Sequence, residues 1–522
     1  MKAAQNNTRC RTANYLATAI LLCITLGGWS GESAQQAPGY DIRHYDLRVE
    51  PDFAAGILHL SVTIEISNPG LAHEFSFELG DRYQVASARD GNSEAKVQRD
   101  PRRIVVSVPR TGKKVLLNLD LNGKPGQSDD EERPVMDNHS LFLLWSDRWY
   151  PADFNDWATV KTTVVLPPNF QAIAPGKLVA ANKRENGLEY VFETSRPTVS
   201  FSLFADSRWV RTEREVGGFD VVTLLHPESQ KHAEQIFATS PDVLKFFSEL
   251  HGGYLFDQFA FITIPGMYAR RAFPGWVGYS PEYLETEMAR TGYDAHETSL
   301  LWWGLTSQGR GPGSWQWTEG LGDYAEVMYA EARHKLLAAN FGIFRQQYLD
   351  TPVDQDVPYT RLRASTPQKI VHGKYPWLMQ VMRERCGDHG FRRGIRLLFE
   401  RYRYRTFTMD EFIAAFEQAD AQSLGWWREQ WLERKGIPVV AFQASWEPAA
   451  GGYRITCLLE QRAEFYVLPL EIAIRSAAGV RTERVFLNQV KAEYAFNSPE
   501  QPLQITLDPN ERILMKKIQL KN

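Results

Sequence analysis

Cysteine is scarce in this chain, with four cysteines among 522 residues. Cys10 and Cys23 belong to the N-terminal segment, so the remainder of the chain keeps only Cys386 and Cys457. These two do not have the spacing of metal ligands, which excludes a cysteine-based metal site. Their number fits either one disulfide in an oxidising compartment or two buried free thiols.

Other features that the sequence lacks exclude further classes of protein function. The net charge of −4 and a pI near 6.3, without a long run of like charge, argue against a nucleic-acid-binding protein. There is no internal repeat, and no Gly-x-Ser-x-Gly motif supports a serine nucleophile. What is present is an ordinary globular composition, 43% apolar and 23% charged. A chain of 522 residues is too long for one hydrophobic core, so we expect three domains.

Residues 1–38 are predicted to be a signal peptide. Basic residues begin the segment, and an apolar run over residues 15–26 follows that is too short to span a bilayer comfortably. We therefore expect an exported protein, periplasmic or secreted, with no membrane span apart from the signal segment. Glu32 makes the cleavage site imperfect, which leaves an uncleaved membrane anchor as the alternative.

The sequence predicts an α+β multidomain fold that begins with β structure. Leu58 to Ile66 alternates apolar and polar residues with a period of two, as in a strand with one buried face. Residues 39–212 are predicted to be an N-terminal antiparallel β domain. At the other end, Leu470, Ile472 and Ile474 show the same alternation, and residues 438–522 are predicted to be a small β-sandwich-like domain.

Between these two regions, residues 213–437 are predicted to be mostly helical. An apolar stripe from Phe237 to Leu250 ends at Gly252-Gly253, a helix stop. Thr408 to Glu411 reads as a capping box. Further helices are predicted near residues 319–338, 374–386, 389–403, 408–420 and 423–435.

Two short motifs in the helical region contain the candidate metal-ligating and catalytic residues. Residues 296–304 read His-Glu-Thr-Ser-Leu-Leu-Trp-Trp-Gly, and eighteen residues separate Leu300 from Glu319. In a metallopeptidase, His-Glu-x-x-His places two imidazoles on one helix face with a glutamate base between them. Here Leu300 stands at the second imidazole. Because a catalytic zinc takes three protein ligands and a water, His296 and Glu319 are predicted metal ligands and Glu297 the general base.

The combination resembles the gluzincin family of zinc aminopeptidases, the membrane alanyl aminopeptidase family, over nearly the whole mature chain. The family's Trp-x-x-Glu-Gly run stands at Trp317 to Gly320. Trp149-Tyr150-Pro151 and Gly436-Ile437-Pro438 are similar to further family markers. The resemblance implies a thermolysin-like peptidase domain over residues 213–437 and a zinc cofactor.

The departures from the family pattern fall on functional positions. Leu300 cannot donate to a metal, so we expect zinc to bind weakly or not at all. The family's Gly-x-Met-Glu-Asn strand, whose glutamate holds the substrate's amino group, falls on residues 269–273. Its glutamate position is Ala272, beside Arg270 and Arg271. A cationic strand should repel a peptide's free amine, which argues against aminopeptidase specificity.

A third departure concerns the family's oxyanion-stabilising tyrosine in its Tyr-x-Lys-Gly context. Alignment of the chain with this family motif places His372 at the tyrosine and Lys374 at the lysine. A shift of the alignment by a few residues would make Tyr375 the counterpart of the family's tyrosine. Ordinary helix packing is the other interpretation of these residues. As a catalytic residue, His372 would donate to an oxyanion. Alternatively it would approach the metal, so that His296, Glu319 and His372 form a rebuilt ligand set.

Two hypotheses follow. The first, which we favour, is an exported pseudoenzyme that is impaired or inactive as a peptidase and binds a peptide or protein ligand in its cleft. The second is an active zinc metallopeptidase with an altered metal site. Retention of His296, Glu297 and Glu319 supports the second. Ion pairs of the two glutamates with Arg270, Arg271 or Lys374 would explain their retention structurally.

Overall fold

The computed structural model describes residues 39–125, 136–185, 187–266, 270–290, 294–334, 337–363 and 366–520. The predicted signal peptide lies outside these residues. The chain divides into two compact units, Met1–Gln308 with Tyr402–Phe407, and Gly309–Arg401 with Thr408–Asn522. The α+β multidomain fold class is confirmed, whereas the predicted boundaries of three domains stay a prediction. No helix within the described part of the chain has both the length and the apolar character needed to cross a membrane.

The first unit begins with the predicted β region. Its strands are β1 (Asp41–Asp52), β2 (Ile57–Ser67), β3 (Glu74–Glu78), β4 (Tyr83–Asp90), β5 (Ser93–Glu94), β6 (Lys96–Asp100), β7 (Arg103–Ser107), β8 (Lys114–Gly123), β9 (Ser140–Leu143), β10 (Thr159–Leu166), β11 (Gln171–Ile173), β12 (Lys177–Arg184), β13 (Gly187–Glu193) and β14 (Leu203–Asp206). They form a sheet of order β12-β13-β10-β1-β2-β8-β4-β5 and two smaller sheets, β11-β14-β9 and β3-β7-β6. Pairing is antiparallel except between β1 and β10, which run parallel.

Alternation in β2 produces the core of this region. Leu58, Leu60, Val62, Ile64 and Ile66 are all buried, while the polar residues between them point to the other face. These side chains join one apolar cluster with residues of β1, β7 and β8. The period-two pattern therefore identified both the strand and its buried face.

The first unit continues with a five-stranded mixed sheet of order β15-β16-β17-β19-β18 and three helices. These elements and two short strands are β15 (Val210–Val216), β16 (Phe219–Leu225), α1 (Ala233–His251), β17 (Phe259–Thr263), β18 (Arg270–Phe273), β19 (Trp276–Tyr279), α2 (Pro281–Arg290), α3 (His296–Leu300), β20 (Ser307–Gly309) and β21 (Arg405–Phe407). Helix α1 ends at Gly252 in the left-handed conformation, as the sequence predicts.

The second unit contains the remaining helices. They are α4 (Ser314–His334), α5 (Leu337–Leu349), α6 (Gln368–Tyr402), α7 (Met409–Asp420) and α8 (Gly425–Trp427), which continues as a π-helical turn over Arg428–Leu432. Helix α6 is broken at Gly387, where φ is 68°, which matches the predicted gap between two helices. The capping box at Thr408 and Glu411 is confirmed, with both of its hydrogen bonds formed.

The C-terminal part of the second unit is the predicted β region. It consists of β22 (Val439–Ala449), β23 (Gly452–Gln461), β24 (Leu468–Ser476), β25 (Gly479–Leu487), β26 (Lys491–Ser498), β27 (Gln504–Leu507) and β28 (Lys516–Gln519). Two sheets form, of orders β26-β23-β22-β28 and β25-β24-β27. Cys386 on α6 and Cys457 on β23 are buried free thiols, so the free-thiol alternative is the one observed.

Candidate active site

Helix α3 carries the first motif, and all five of its residues, His296–Leu300, are buried. Asp294 lies just before the helix, and its Oδ1 accepts a hydrogen bond from the backbone N–H of Glu297 at 3.1 Å. This bond satisfies one of the N–H groups that a helix N-terminus leaves without an intrahelical partner. Gly304 then adopts a φ of 103°, which glycine tolerates without strain. The motif therefore lies on little more than one helical turn.

Trp302 anchors the end of α3 to helix α1. Its ring stacks on His251 with centroids 5.3 Å apart, and its Nε1 donates to the backbone carbonyl of Gly253 at 2.8 Å. Burial lowers the pKa of His251 to about 3, so this imidazole is neutral at physiological pH and serves as an aromatic surface. The first tryptophan of the motif thus holds α3 in place by packing.

Strand β18 places Arg270 against the motif. Its Nε lies 3.2 Å from Oε1 of Glu297, and its Nη1 lies 3.8 Å from Oδ1 of Asp294. The guanidinium carbon is 5.4 Å from the centroid of the Tyr283 ring. The side chains of Arg270, Glu297 and Asp294 are 12%, 7% and 0% exposed, so water screens their charges little. The predicted general base is therefore ion-paired, which confirms the arginine pairing offered as a structural alternative.

This pairing changes the expected electrostatics of the strand. Ala269 lies outside the described residues, and β18 begins at Arg270. Two carboxylates, Glu297 and Asp294, lie beside the Arg270 guanidinium and balance its charge. The expectation that this strand repels a free amine therefore does not hold for Arg270. Ala272, at the family's glutamate position, still has no side-chain oxygen to accept a hydrogen bond from an amine.

Helix α3 offers one nitrogen donor to a metal ion, where the His-Glu-x-x-His motif offers two. His296 is buried and its Nε2 lies 4.0 Å from Oε1 of Glu297, while Leu300, also buried, contributes only an alkyl side chain. A zinc site needs three protein ligands, and here one imidazole stands beside a carboxylate already paired with a guanidinium. Across the described residues, no three His, Cys, Asp or Glu side chains are grouped so as to hold a metal ion.

The second unit holds the other predicted site residues. Glu319 and Asp323 lie one turn apart on α4, and both are buried. On α6, Nδ1 of His372 lies 2.6 Å from Oδ2 of Asp323, so this carboxylate orients the imidazole. The metal-ligand roles of His296 and Glu319 and the catalytic roles of Glu297 and His372 stay predictions.

Lys374 forms a buried ion pair that the sequence did not predict. Its Nζ lies 3.1 Å from Oδ2 of Asp356, which also accepts hydrogen bonds from the Tyr348 hydroxyl at 2.8 Å and from the backbone N–H of Gly436. Burial lowers the pKa of the Lys374 ammonium, and the Asp356 carboxylate opposes this shift. Of the three cations offered as alternative partners of the two glutamates, Lys374 is paired with Asp356 instead.

Tyr375 packs in the interior of the second unit. Its ring lies edge-on to Trp317 and Tyr359, with centroids 5.9 and 6.2 Å away. A Cβ placed on Gly320 would lie 2.4 Å from Cβ of Tyr375. The glycine of the Trp-x-x-Glu-Gly run is therefore needed for the close approach of α4 and α6, and these contacts favour the packing interpretation of Tyr375.

Three aspartates complete these contacts, and sequence reasoning missed all of them. Asp294 precedes a helix start, where carboxylates commonly cap N–H groups. Asp323 lies four residues after Glu319 on a predicted helix, a spacing that places both on one face. Asp356 lies outside the helices and strands, with no local pattern that points to Lys374.

Short stretches of the chain are similar to curated aminopeptidases. One is 31% identical over 72 residues to Aminopeptidase N of Lactococcus lactis subsp. lactis, and another is 28% identical over 86 residues to Aminopeptidase N of Escherichia coli (strain K12). The matches span 8% and 10% of those relatives and 14% and 16% of this chain. No protein-family model matches the chain.

Solved structures extend the likeness to most of the chain. Legionella pneumophila aminopeptidase A in complex with aspartic acid is similar with a TM-score of 0.75 and 14% identity, over 94% of this chain and 61% of that one. A two-domain M1 zinc metallopeptidase mutant bound to L-tryptophan has a TM-score of 0.66 and 16% identity, over 77% of this chain and 96% of that one. An M1 zinc metallopeptidase mutant from Deinococcus radiodurans, bound to the substrate Tyr-Ser-Ala, gives the same values. The resemblance is thereby confirmed at the level of architecture, and the chain has the fold of the M1 zinc aminopeptidases, the gluzincin family.

Proposed function

We propose that this chain is an exported protein whose aminopeptidase-type zinc metallopeptidase fold has lost efficient catalysis and serves to bind a peptide or protein ligand. The observation that carries the proposal is the ion pair between Arg270 and Glu297, 3.2 Å apart and little exposed. A glutamate acts as general base by taking a proton from water. A guanidinium beside it stabilises the charged carboxylate and makes it a poorer proton acceptor.

The leucine at position 300 supports the same conclusion. Loss of a residue that only orients a metal ligand lowers affinity or activity by roughly 10–100-fold, and the loss of a ligand itself should lower it further. Leu300 is buried, so it presents an apolar wall in place of a nitrogen donor. A poor base and a missing ligand together predict slow hydrolysis at best.

The ligand class is proposed from the proteins that share the fold. Those solved structures hold aspartic acid, L-tryptophan or the peptide Tyr-Ser-Ala. We propose that this chain takes a ligand of related chemistry, a peptide or a segment of a protein. Export rests on the signal-like pattern of residues 1–38.

Zinc stoichiometry and peptide hydrolysis test the proposal. The purified wild-type protein should contain far less than one zinc per chain after exposure to zinc and buffer exchange. It should cleave an unbiased peptide library no faster than a Glu297→Gln variant, the control for background hydrolysis. Peptides from the same library should be retained by the wild-type protein. Stoichiometric zinc together with hydrolysis that Glu297→Gln abolishes would contradict the proposal.

The second candidate is an active metallopeptidase in which His296, Glu319 and His372 hold the metal and Glu297 is the general base. One contact favours it: Nδ1 of His372 is held by Asp323 at 2.6 Å. Histidines that bind metals usually pair their other ring nitrogen with a carboxylate or carbonyl in this way. Metal analysis of His372→Ala against wild type decides the point, because equal zinc content in both would exclude His372 as a ligand.

A further inference from the structure

We infer that the guanidinium of Arg270 supplies, beside α3, the positive charge that a metal ion would otherwise supply, so that Arg270 and Leu300 together prevent zinc from binding at His296. The inference rests on the proposed function, since it explains how Asp294 and Glu297 stay buried without a metal. It also predicts that restoring a histidine at position 300 is not sufficient for zinc binding.

Charge balance is the first step of the argument. Glu297 and Asp294 are 7% and 0% exposed, and buried carboxylates persist only when a cation or hydrogen-bond donors compensate them. Arg270 reaches both, at 3.2 Å and 3.8 Å. The backbone N–H of Glu297 also donates to Asp294. One guanidinium thus serves the two carboxylates that flank His296.

The position of Arg270 is held by the sheet. Strand β18 pairs antiparallel with β19, with Arg270 opposite Tyr279 and Phe273 opposite Trp276. The rings of Phe273 and Trp276 stack 5.4 Å apart and are both fully buried. Because β18 cannot shift without breaking these contacts, the backbone of Arg270 is held beside α3, and its guanidinium is positioned by Glu297, Asp294 and the Tyr283 ring.

Competition for one carboxylate is the second step. Nε2 of His296 lies 4.0 Å from Oε1 of Glu297, the same oxygen that Arg270 contacts. A cation bound by His296 would therefore approach a carboxylate that already has a cationic partner, and like charges a few ångströms apart repel strongly in a poorly hydrated site. Arg270 opposes zinc by its charge, whereas Leu300 opposes it by lacking a donor atom.

Four proteins separate these effects: wild type, Leu300→His, Arg270→Met, and the double variant Arg270→Met/Leu300→His. Each is exposed to zinc, exchanged into zinc-free buffer and analysed for metal, and zinc affinity is measured by titration. We expect wild type and Leu300→His to retain little zinc. The double variant should bind at least about tenfold more tightly than Leu300→His, and zinc should raise its thermal midpoint.

A matched control removes the neighbouring arginine. Arg271 lies on the same strand, and successive side chains point to opposite faces. Arg271→Met/Leu300→His should behave as Leu300→His alone. Equal zinc binding in the two double variants would show that any positive charge on β18 has this effect, which would overturn the assignment to Arg270.

Charge balance has its own readout, independent of metal. Arg270→Met should lower the thermal midpoint, and Arg270→Met/Glu297→Met should recover part of that loss, because the second change removes a carboxylate left without its cation. No recovery would overturn the inference, as would tight zinc binding by Leu300→His alone. Stoichiometric zinc in the wild type together with hydrolysis that Glu297→Gln abolishes would instead refute the proposed function itself, so the two failures are distinguishable.

Discussion

Nδ1 of His372 lies 2.6 Å from Oδ2 of Asp323, and both side chains are at least nine-tenths buried. Hydrogen bonds that involve a charged group contribute about 1.5–3 kcal/mol. We expect Asp323→Leu to lower the free energy of unfolding by about this amount, while Asp323→Asn, which keeps an oxygen acceptor, should lower it less. Urea unfolding followed by tryptophan fluorescence measures both. Equal losses would mean that the negative charge of the carboxylate, which both variants remove, and not an oxygen acceptor decides the stability here.

The buried pair of Lys374 and Asp356 predicts an asymmetry. Asp356→Asn leaves an ammonium buried without its anion and should destabilise by about 3–5 kcal/mol. Lys374→Met should destabilise less, because Asp356 keeps its donors on Tyr348 and Gly436. A double-mutant cycle in chemical unfolding gives the coupling. If Lys374→Met proved the more damaging change, the carboxylate would not be the centre of this cluster.

Gly320 and Gly342 form a matched pair in the helices of the second unit. A Cβ on Gly320 meets Cβ of Tyr375 at 2.4 Å, whereas a Cβ on Gly342 meets nothing within 4 Å. Gly320→Ala should therefore destabilise by about 1–3 kcal/mol through overpacking. Gly342→Ala should stabilise by up to about 1 kcal/mol, because alanine favours the helix. Thermal midpoints that move together would contradict the close approach of α4 and α6.

Asp156 makes stability depend on pH. Burial is the main cause that raises the pKa of its carboxyl to about 7, with the charges of Asp41 and Asp153 acting in the same direction and the hydrogen bond from the backbone N–H of Ile42 opposing them. The ordinary value is about 4. Between about pH 4 and pH 7 the folded chain holds a proton that the unfolded chain has released, so stability falls as the pH rises through this range.

Asp156→Asn should remove this dependence, because the amide does not ionise and its oxygen can still accept from Ile42. At pH 8 the variant should be more stable than wild type by at most about 4 kcal/mol, and the difference should vanish below pH 4. Burial also raises the pKa of Asp508 to about 6, so Asp508 makes the stability of both proteins depend on pH. The difference in free energy of unfolding between variant and wild type, measured across the pH range, therefore isolates the contribution of Asp156. A difference that does not change with pH would refute the assignment.

Local patterns were sufficient for most elements of the fold. The alternation in β2, the helix stop at Gly252 and the break at Gly387 all depend on neighbours in sequence, and each is observed. The parallel pairing of β1 with β10 was not predictable, because it joins segments more than 100 residues apart. The sequence of neither β1 nor β10 contains a pattern that predicts which strand it pairs with.

The candidate site shows the same limit. His296 and Glu297 were expected on a helix, and they lie on α3. The partner of Glu297 was left open among several cations, because the choice of Arg270 depends on how β18 packs against α3. Lys374 was offered as another partner, and the structure places it instead beside Asp356, to which no sequence pattern pointed.

The two buried thiols have a practical use. Burial raises the pKa of Cys386 to about 12 and of Cys457 to about 11, so neither forms an appreciable thiolate at neutral pH, and alkylating reagents react with thiolates. Each thiol becomes reactive only when its surroundings open. In a protein without Cys10 and Cys23, alkylation of Cys386 would report opening of the broken helix α6. Alkylation of Cys457 would report opening of the C-terminal sheet that contains β23. A comparison of the two labelling rates would show whether these regions unfold together.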